Sequence, residues 1–244
     1  MMDWQGKRYW LVGASEGLGA ALAAKLSAAG AEVILSARNE DGLREVAETL
    51  PGISQVVPVD VADRKSVEAA AQAAGEIDGM VFLAGVYWPI GAKDWNAEQV
   101  EAMADVNFTG AIRVLGTCVP QMVARDAGHI VITGSLSGFR GLPGAIGYAP
   151  SKAGVMALAE SLHADLWRTG VRVQLANPGF IKTRLTEKND FKMPFLMTPE
   201  QAAQEMFELM CDEGAFERHF PRMFSWVFRL SRFLPTWAYK RLFA

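Results

Sequence analysis

Cysteine, histidine and long apolar runs are all scarce in this chain. Its 244 residues include two cysteines, Cys118 and Cys211, and three histidines. The cysteines have no metal-ligand spacing and suggest no disulfide framework, so they read as free thiols of a reducing compartment. His129, His163 and His219 do not fall at zinc-site spacing, so no metal is expected. The longest uncharged stretch, 79–92, has 14 residues, short of the roughly 18–20 that a membrane span needs. The first ten residues, MMDWQGKRYW, lack the apolar run of an export signal. The expected address is the cytoplasm.

What is present excludes disorder, collagen and coiled coil. Half the residues are apolar and 21% are charged, with 23 Gly and 11 Pro, an ordinary globular mixture. A chain of this length can bury roughly 70–75% of its unfolded surface in one core, with no staple required. The net charge of −3 conceals an asymmetry: residues 216–244 carry Arg218, Arg222, Arg229, Arg232, Lys240 and Arg241 against Glu217, a balance of +5, so the rest sums to −8. That acidic body excludes a nucleic-acid partner on charge grounds. The simplest organisation is one domain over 1–215, with 216–244 as a basic, aromatic-rich extension of the same domain.

Strand-like runs at 8–13, 32–37, 55–58, 79–84, 129–133 and 171–176 alternate with Ala- and Leu-rich segments of helical period at 18–29, 42–50, 64–74 and 155–168. Near-continuous apolar strands separated by helices indicate a parallel sheet covered on both faces. The expected fold is α/β, a single Rossmann-type doubly wound parallel sheet with helices on both faces.

The first strand runs into Gly13-Ala14-Ser15-Glu16-Gly17-Leu18-Gly19 and then an Ala-rich helix. Residues without a Cβ let the backbone approach a pyrophosphate, and the helix N-terminus supplies unpaired N–H groups and a favourable dipole. The spacing is GxxxGxG rather than GxGxxG. Glycines in strand-to-helix turns are also plain punctuation, but their place directly after the first strand favours a nucleotide. At the end of the second strand an acid would bind the ribose of NAD and an Arg would accommodate a 2′-phosphate. Arg38 stands there, which favours NADP(H) over NAD(H). Arg38 could instead be a solvated charge, with Glu40 or Asp41 taking the ribose, and Glu16 would mildly repel a phosphate. Asp60-Val61, after the third strand, fits either the adenine amino group or a helix N-cap.

The strand ending at Thr133 leads into Gly134-Ser135-Leu136-Ser137, and thirteen residues after Ser135 comes Tyr148-Ala149-Pro150-Ser151-Lys152. Tyr148 and Lys152, at i and i+4, share one face of a helix. Pro150 would lie in the first turn of that helix, where proline is tolerated. A free phenol, with pKa about 10, is a poor acid or base at neutral pH. A neighbouring ammonium is expected to lower that value, making Tyr148 a general acid/base. Ser135 could then hydrogen-bond a substrate oxygen. A bare YxxxK is weak; one preceded by a strand-end Ser and an N-terminal glycine turn is strong.

With these motifs the chain resembles the classical short-chain dehydrogenase/reductase family, from about Lys7 to about Cys211. The resemblance implies a single Rossmann-type domain, a nicotinamide cofactor, a homodimer or homotetramer, and interconversion of a carbonyl and an alcohol by hydride transfer. It implies catalytic roles for Ser135, Tyr148 and Lys152, and for Asn107, in DVNFTG, as the helical Asn that holds a water behind the lysine. It implies further cofactor contacts at Tyr148 and Lys152, and at Pro178, Gly179, Ile181 and Thr183 in NPGFIKT. The family's NNAG after the fourth strand reads FLAG here: Ala84-Gly85 keeps close backbone approach, while the missing Asn removes a bond that braces the sheet. A Tyr-x6-Lys pattern fails because residue 155 is Val. The rival reading is a non-catalytic dinucleotide-binding regulator or scaffold, which would have no use for a tuned phenol.

The substrate side reads as apolar. Leu185, Phe191, Met193, Pro194, Phe195, Leu196 and Met197 fall where the family places its lid, with Tyr87, Trp88, Phe139 and Leu142 as further candidates. Such a pocket suits an apolar carbonyl or alcohol. In the tail, Arg222, Ser225, Arg229 and Arg232 fall on one side of a helical wheel and apolar residues cover the rest up to Pro235. The plainer reading is packing on its own domain or a partner subunit. The alternative is peripheral contact with a membrane surface through 222–244.

Overall fold

The computed structural model describes residues 3–188 and 190–243. Seven parallel strands form one sheet: β1 (Arg8–Val12), β2 (Glu32–Ser36), β3 (Ser54–Val56), β4 (Gly79–Phe82), β5 (Gly128–Thr133), β6 (Val171–Pro178) and β7 (Glu217–Phe220), in the order β3-β2-β1-β4-β5-β6-β7. Order reverses between β1 and β4, and ligand crevices open at such a switch point, beyond the C-terminal ends of the strands.

Strand residues alternate between two apolar layers, as the two-residue repeat of a strand requires. Trp10, Val12, Met80, Phe82, Ile130 and Ile132 face one layer. It is filled by α3 (Arg64–Ala74), α5 (Gly110–Ala124) and α6 (Tyr148–Leu166), with α4 (Ala97–Ala104) packed on α6. Tyr9, Leu11, Val33, Leu35, Val81 and Val131 face the other, covered by α1 (Gly17–Ala28), α2 (Glu40–Thr49) and α7 (Pro199–Cys211). The expected doubly wound sheet is therefore present, flanked by helices on both sides.

Several buried polar groups within the sheet are paired, as low-dielectric surroundings favour, while Thr133 Oγ1 and Asn177 Oδ1 are buried without a partner among the described residues. Trp10 Nε1 donates to Ser36 Oγ at 2.8 Å, and Ser36 Oγ donates to the Val57 carbonyl. At the N-terminal end of the strands, His129 bonds Tyr9 Oη and Gln174 Oε1, both at 2.8 Å. Burial pushes this imidazole down to about 3, so it stays neutral and structural.

The basic extension begins inside the sheet. Residues 217–220 pair with β6 as β7, and Arg218 joins Glu205 of α7 at 2.6 Å. Beyond it come α8 (Arg222–Ser231) and α9 (Thr236–Phe243). Phe224, Phe228 and Tyr239 are buried against the domain, each such burial stabilising by roughly 1.5–3 kcal/mol. Ser225, expected on the polar side of α8, is buried too, because the helix turns its arginine side obliquely and its serines inward. The Arg140 guanidinium bonds the carbonyls of Ser231 and Leu234 and lies 3.9 Å from the Tyr239 ring, satisfying the bare carbonyls at the end of α8.

Candidate active site

Two cavities open at the C-terminal ends of the strands. The first, of about 280 Å³, is lined by Gly13, Ser15, Glu16, Gly17, Leu18, Gly19, Arg38, Asp60, Val61, Ala84, Gly85, Tyr148, Lys152, Pro178, Gly179, Ile181 and Thr183, all expected from sequence to meet the nucleotide, whereas Ala14 of the glycine turn does not line it. Gly13, at φ +103°, marks why a side chain is barred here: a Cβ would meet the Ala84 nitrogen at 2.5 Å. Glu16, the N-cap of α1, makes no side-chain cap, so the first N–H groups of α1 remain available beside Gly17 and Leu18 in the cleft. An uncapped helix N-terminus suits a phosphate, and the residues present fit a dinucleotide.

Charges around the cleft sort the cofactor alternatives. Arg38 lines it, is exposed, and has no ion pair or hydrogen bond among the described residues. Glu40 pairs with Arg44 on α2, and neither Glu40 nor Asp41 lines the cleft. Asn39 caps α2, accepting from the Gly42 nitrogen at 3.2 Å. Asp63, not Asp60, caps α3, accepting from the Lys65 nitrogen at 2.9 Å. Asp60 accepts from the Ala62 nitrogen at 3.0 Å and faces the cleft. Glu16 meets Arg184 at 2.8 Å, a cleft residue that no motif marked. That pairing offsets the repulsion expected between Glu16 and a phosphate.

The second cavity, of about 290 Å³, is lined by Tyr87, Leu136, Leu142, Phe180, Leu185 and Phe191, and by Phe224 and Phe228 from α8. Trp88, Phe139, Met193, Pro194, Phe195, Leu196 and Met197 do not line it. Phe139 instead packs edge-on against His219, 5.1 Å between centroids, and Trp88 lies under Lys188. The aromatic wall is therefore shared, with Phe180 and Phe191 from the segment after β6 and Phe224 and Phe228 from the tail.

Ser135 and Tyr148 border both cavities. Ser135 sits at the end of β5 as the cap of a short 3₁₀ turn, 136–138, accepting from the Ser137 nitrogen at 3.2 Å. Its hydroxyl also pairs with Ser137 Oγ at 3.0 Å and faces the Tyr148 phenol across the junction of the two cavities. Tyr148 opens α6, one turn before Lys152, with Pro150 in that first turn. Lys152 Nζ donates to the Thr133 carbonyl at 2.9 Å. Burial pushes Lys152 down to about 8 and Tyr148 up to about 12, the nearby Ser135 hydroxyl only partly opposing it. The phenol pKa is therefore raised, not lowered as expected. Lys152 is buried and Tyr148 is half-buried where the two cavities meet, and desolvation of the phenolate outweighs its neighbours.

Asn107 lies in a π-helical turn, 105–109, between α4 and α5. Its Oδ1 accepts from the Val86 nitrogen at 2.7 Å, and its Nδ2 donates to the Val86 carbonyl and Ser151 Oγ, both at 3.0 Å. The side chain thereby pins the segment after Gly85 to the first turn of α6. Asn107 does not itself line the nucleotide cleft.

The sequence pattern of the short chain dehydrogenase family matches residues 7–193. The chain belongs to the short-chain dehydrogenase/reductase family. An uncharacterised oxidoreductase of Myxococcus xanthus (strain DK1622) is 38% identical over 233 residues, 93% of this chain and 92% of the relative. Another, from Staphylococcus epidermidis, is 37% identical over 185 residues, 74% of this chain and 80% of the relative. Among solved structures, a short-chain dehydrogenase/reductase from Burkholderia phymatum in complex with NAD superposes with a TM-score of 0.86 at 24% identity, covering 95% of this chain and 94% of that one. The family's members are oxidoreductases whose fold binds a nicotinamide nucleotide, and this chain has that fold and that cleft.

Proposed function

We propose that this family member is an NADPH-dependent oxidoreductase that interconverts an apolar carbonyl compound and its secondary alcohol. The observation carrying the reading is the junction: a cleft fitted to a dinucleotide and a cavity walled by aromatics share Ser135 and Tyr148. When bound, the nicotinamide supplies or accepts the hydride.

The protein's own groups do the rest. The glycine turn and the N-terminus of α1 hold the pyrophosphate, and Arg38, at the cleft edge and without a partner among the described residues, reads a 2′-phosphate. Ser135 holds the substrate oxygen. Tyr148 Oη donates its proton to that oxygen in reduction and takes it back in oxidation. With its pKa at about 12, the phenol is protonated at neutral pH, the form that reduction uses. Lys152, with its pKa at about 8, is mostly charged at neutral pH and steadies the phenolate as it forms. Asn107 positions Val86 and Ser151 and, by resemblance, holds a water behind Lys152. The reading places the protein in the cytoplasm as a homodimer or homotetramer, which sedimentation would test.

The deciding experiment is a fluorescence titration with NADPH and, in parallel, NADH, using energy transfer from the seven tryptophans. The expected result is tighter NADPH binding, with Arg38→Ala weakening NADPH by roughly 10–100-fold, as loss of a charge-assisted bond implies, and leaving NADH nearly unchanged. Preference for NADH would overturn the assignment of Arg38 to a 2′-phosphate. Binding of neither would remove the catalytic reading.

A further inference from the structure

The tail has a second face that the catalytic reading leaves unused. On α8, Phe224, Phe228 and Ser231 are buried against the domain, while Met223, Trp226, Val227 and Leu230, with Phe233 just beyond the helix, are exposed. The outward exposures run from 47% at Trp226 to 85% at Phe233, with Trp237 of α9 at 72%. Among the described residues, ten of the fifteen exposed large apolar side chains lie in this tail or in the 191–196 loop. Scattered singly such residues mean little; gathered in one patch they mark a docking surface.

The charges on the two helices are of one sign. Arg222, Arg229, Arg232, Lys240 and Arg241 lie along them and no Asp or Glu occurs from 222 to 243, the acid facing them being Glu217 of β7, near Arg229. Arg229 lies 4.5 Å from the Trp226 ring, leaving cation and aromatic side by side at the rim. A symmetric contact with a second copy would set these five cations against the same five, a costly juxtaposition. An anionic surface would complement them. None of the helices among the described residues is long and apolar enough to cross a membrane, so the geometry is that of a helix pair lying on one.

The patch is also rigidly tied to the substrate cavity. Phe224 and Phe228 on the inner face of α8 line that cavity, and Phe195, 56% exposed, packs 5.5 Å from Phe224. Arg140 and the Tyr239 hydroxyl, which donates to the Gly141 carbonyl, anchor the α8–α9 turn to the loop after β5. We propose that α8 and α9 seat the protein on an anionic lipid surface, their outer apolar face at headgroup depth and their arginines against the phosphates. The cavity mouth then opens beside a lipid-dissolved substrate pool. The seat itself is independent of the catalytic reading; only delivery of substrate rests on it.

The test is flotation of the full chain with vesicles of equal parts phosphatidylglycerol and phosphatidylcholine, against pure phosphatidylcholine. The seat predicts binding to the anionic vesicles, release by salt, and little binding to the neutral ones. Each basic residue near such a surface strengthens binding by roughly fivefold, so Arg229→Gln with Arg232→Gln should weaken it by about 25-fold. The triple variant Trp226→Ser, Leu230→Ser, Phe233→Ser should stay in solution while still binding NADPH and reducing a short water-soluble ketone. Wild-type protein that remains in solution with anionic vesicles overturns the proposal, as does an arginine variant that floats unchanged. A wild-type oligomer that the triple variant splits, with no vesicle binding, would assign the face to a second copy instead. Protein that floats but reduces no carbonyl keeps the seat and removes the catalytic reading; protein that reduces but does not float does the reverse.

Discussion

The two cavities that meet at Tyr148 are nearly equal in size, about 280 and 290 Å³, yet they are built in different ways. The nucleotide cleft is made largely of backbone: glycine turns, strand ends and an uncapped helix N-terminus. The substrate cavity is made of side chains brought from five separate segments, at Tyr87, Leu136–Ala145, Phe180, Leu185–Phe191 and α8. A backbone site tolerates few sequences and leaves a motif. A side-chain site needs apolar bulk in a given place, which many sequences supply. One half should therefore be sensitive to small changes in chemistry, and the other graded by shape.

The largest expected effect falls at the junction. Tyr148→Phe removes the proton donor while keeping the ring, and turnover should drop by about 10²–10⁴-fold, with NADPH binding by fluorescence nearly unchanged. Turnover within a few fold of wild type would dissociate the junction from the chemistry.

Next comes the pH profile set by Lys152, which loses its charge on rising through about 8. Carbonyl reduction should fall above that pH, and Lys152→Met should remove the limb along with most of the rate, read as kcat/KM against pH. Stability has the opposite sign. Between about 8 and the ordinary lysine value of 10.5 the unfolded chain binds the proton that the folded one releases, so this residue makes the fold more stable as pH rises. Urea denaturation of wild type and Lys152→Met across that window measures the difference.

The smallest effect belongs to the cavity wall. Phe228→Ala should cost near the low end of the ~3–5 kcal/mol typical of buried phenylalanine, because the ring borders a cavity, and should raise KM for a bulky apolar ketone by about tenfold, consistent with 1–2 kcal/mol of lost contact. NADPH affinity should not move. A change in nucleotide binding instead would mean that the two cavities are not separable.

Legibility in the sequence follows the same division. The doubly wound parallel sheet was implied by alternating apolar runs and helices, though not its strand order, and the glycine turn, Ser135, Tyr148 and Lys152 could be named because their spacing is fixed by backbone geometry. Strand β7 was hidden: Glu-Arg-His-Phe has neither apolar alternation nor β-branched residues, and it joins the sheet at an edge, where Arg218 pairs back to α7. Arg184 was hidden because its partner Glu16 lies far away in sequence. Phe224 and Phe228 showed an apolar helix, but periodicity identifies a face without naming what it covers. The direction of the Tyr148 shift depends on burial, which the YxxxK spacing does not contain.

The most direct test of the central claim uses NADPH carrying deuterium at the transferable position of the nicotinamide, incubated with the full chain and an apolar ketone. The two-cavity account predicts a secondary alcohol with deuterium on the carbinol carbon, formed by wild type and not by Tyr148→Phe. Tight NADPH binding with no deuterium delivered to any apolar ketone or aldehyde would contradict it.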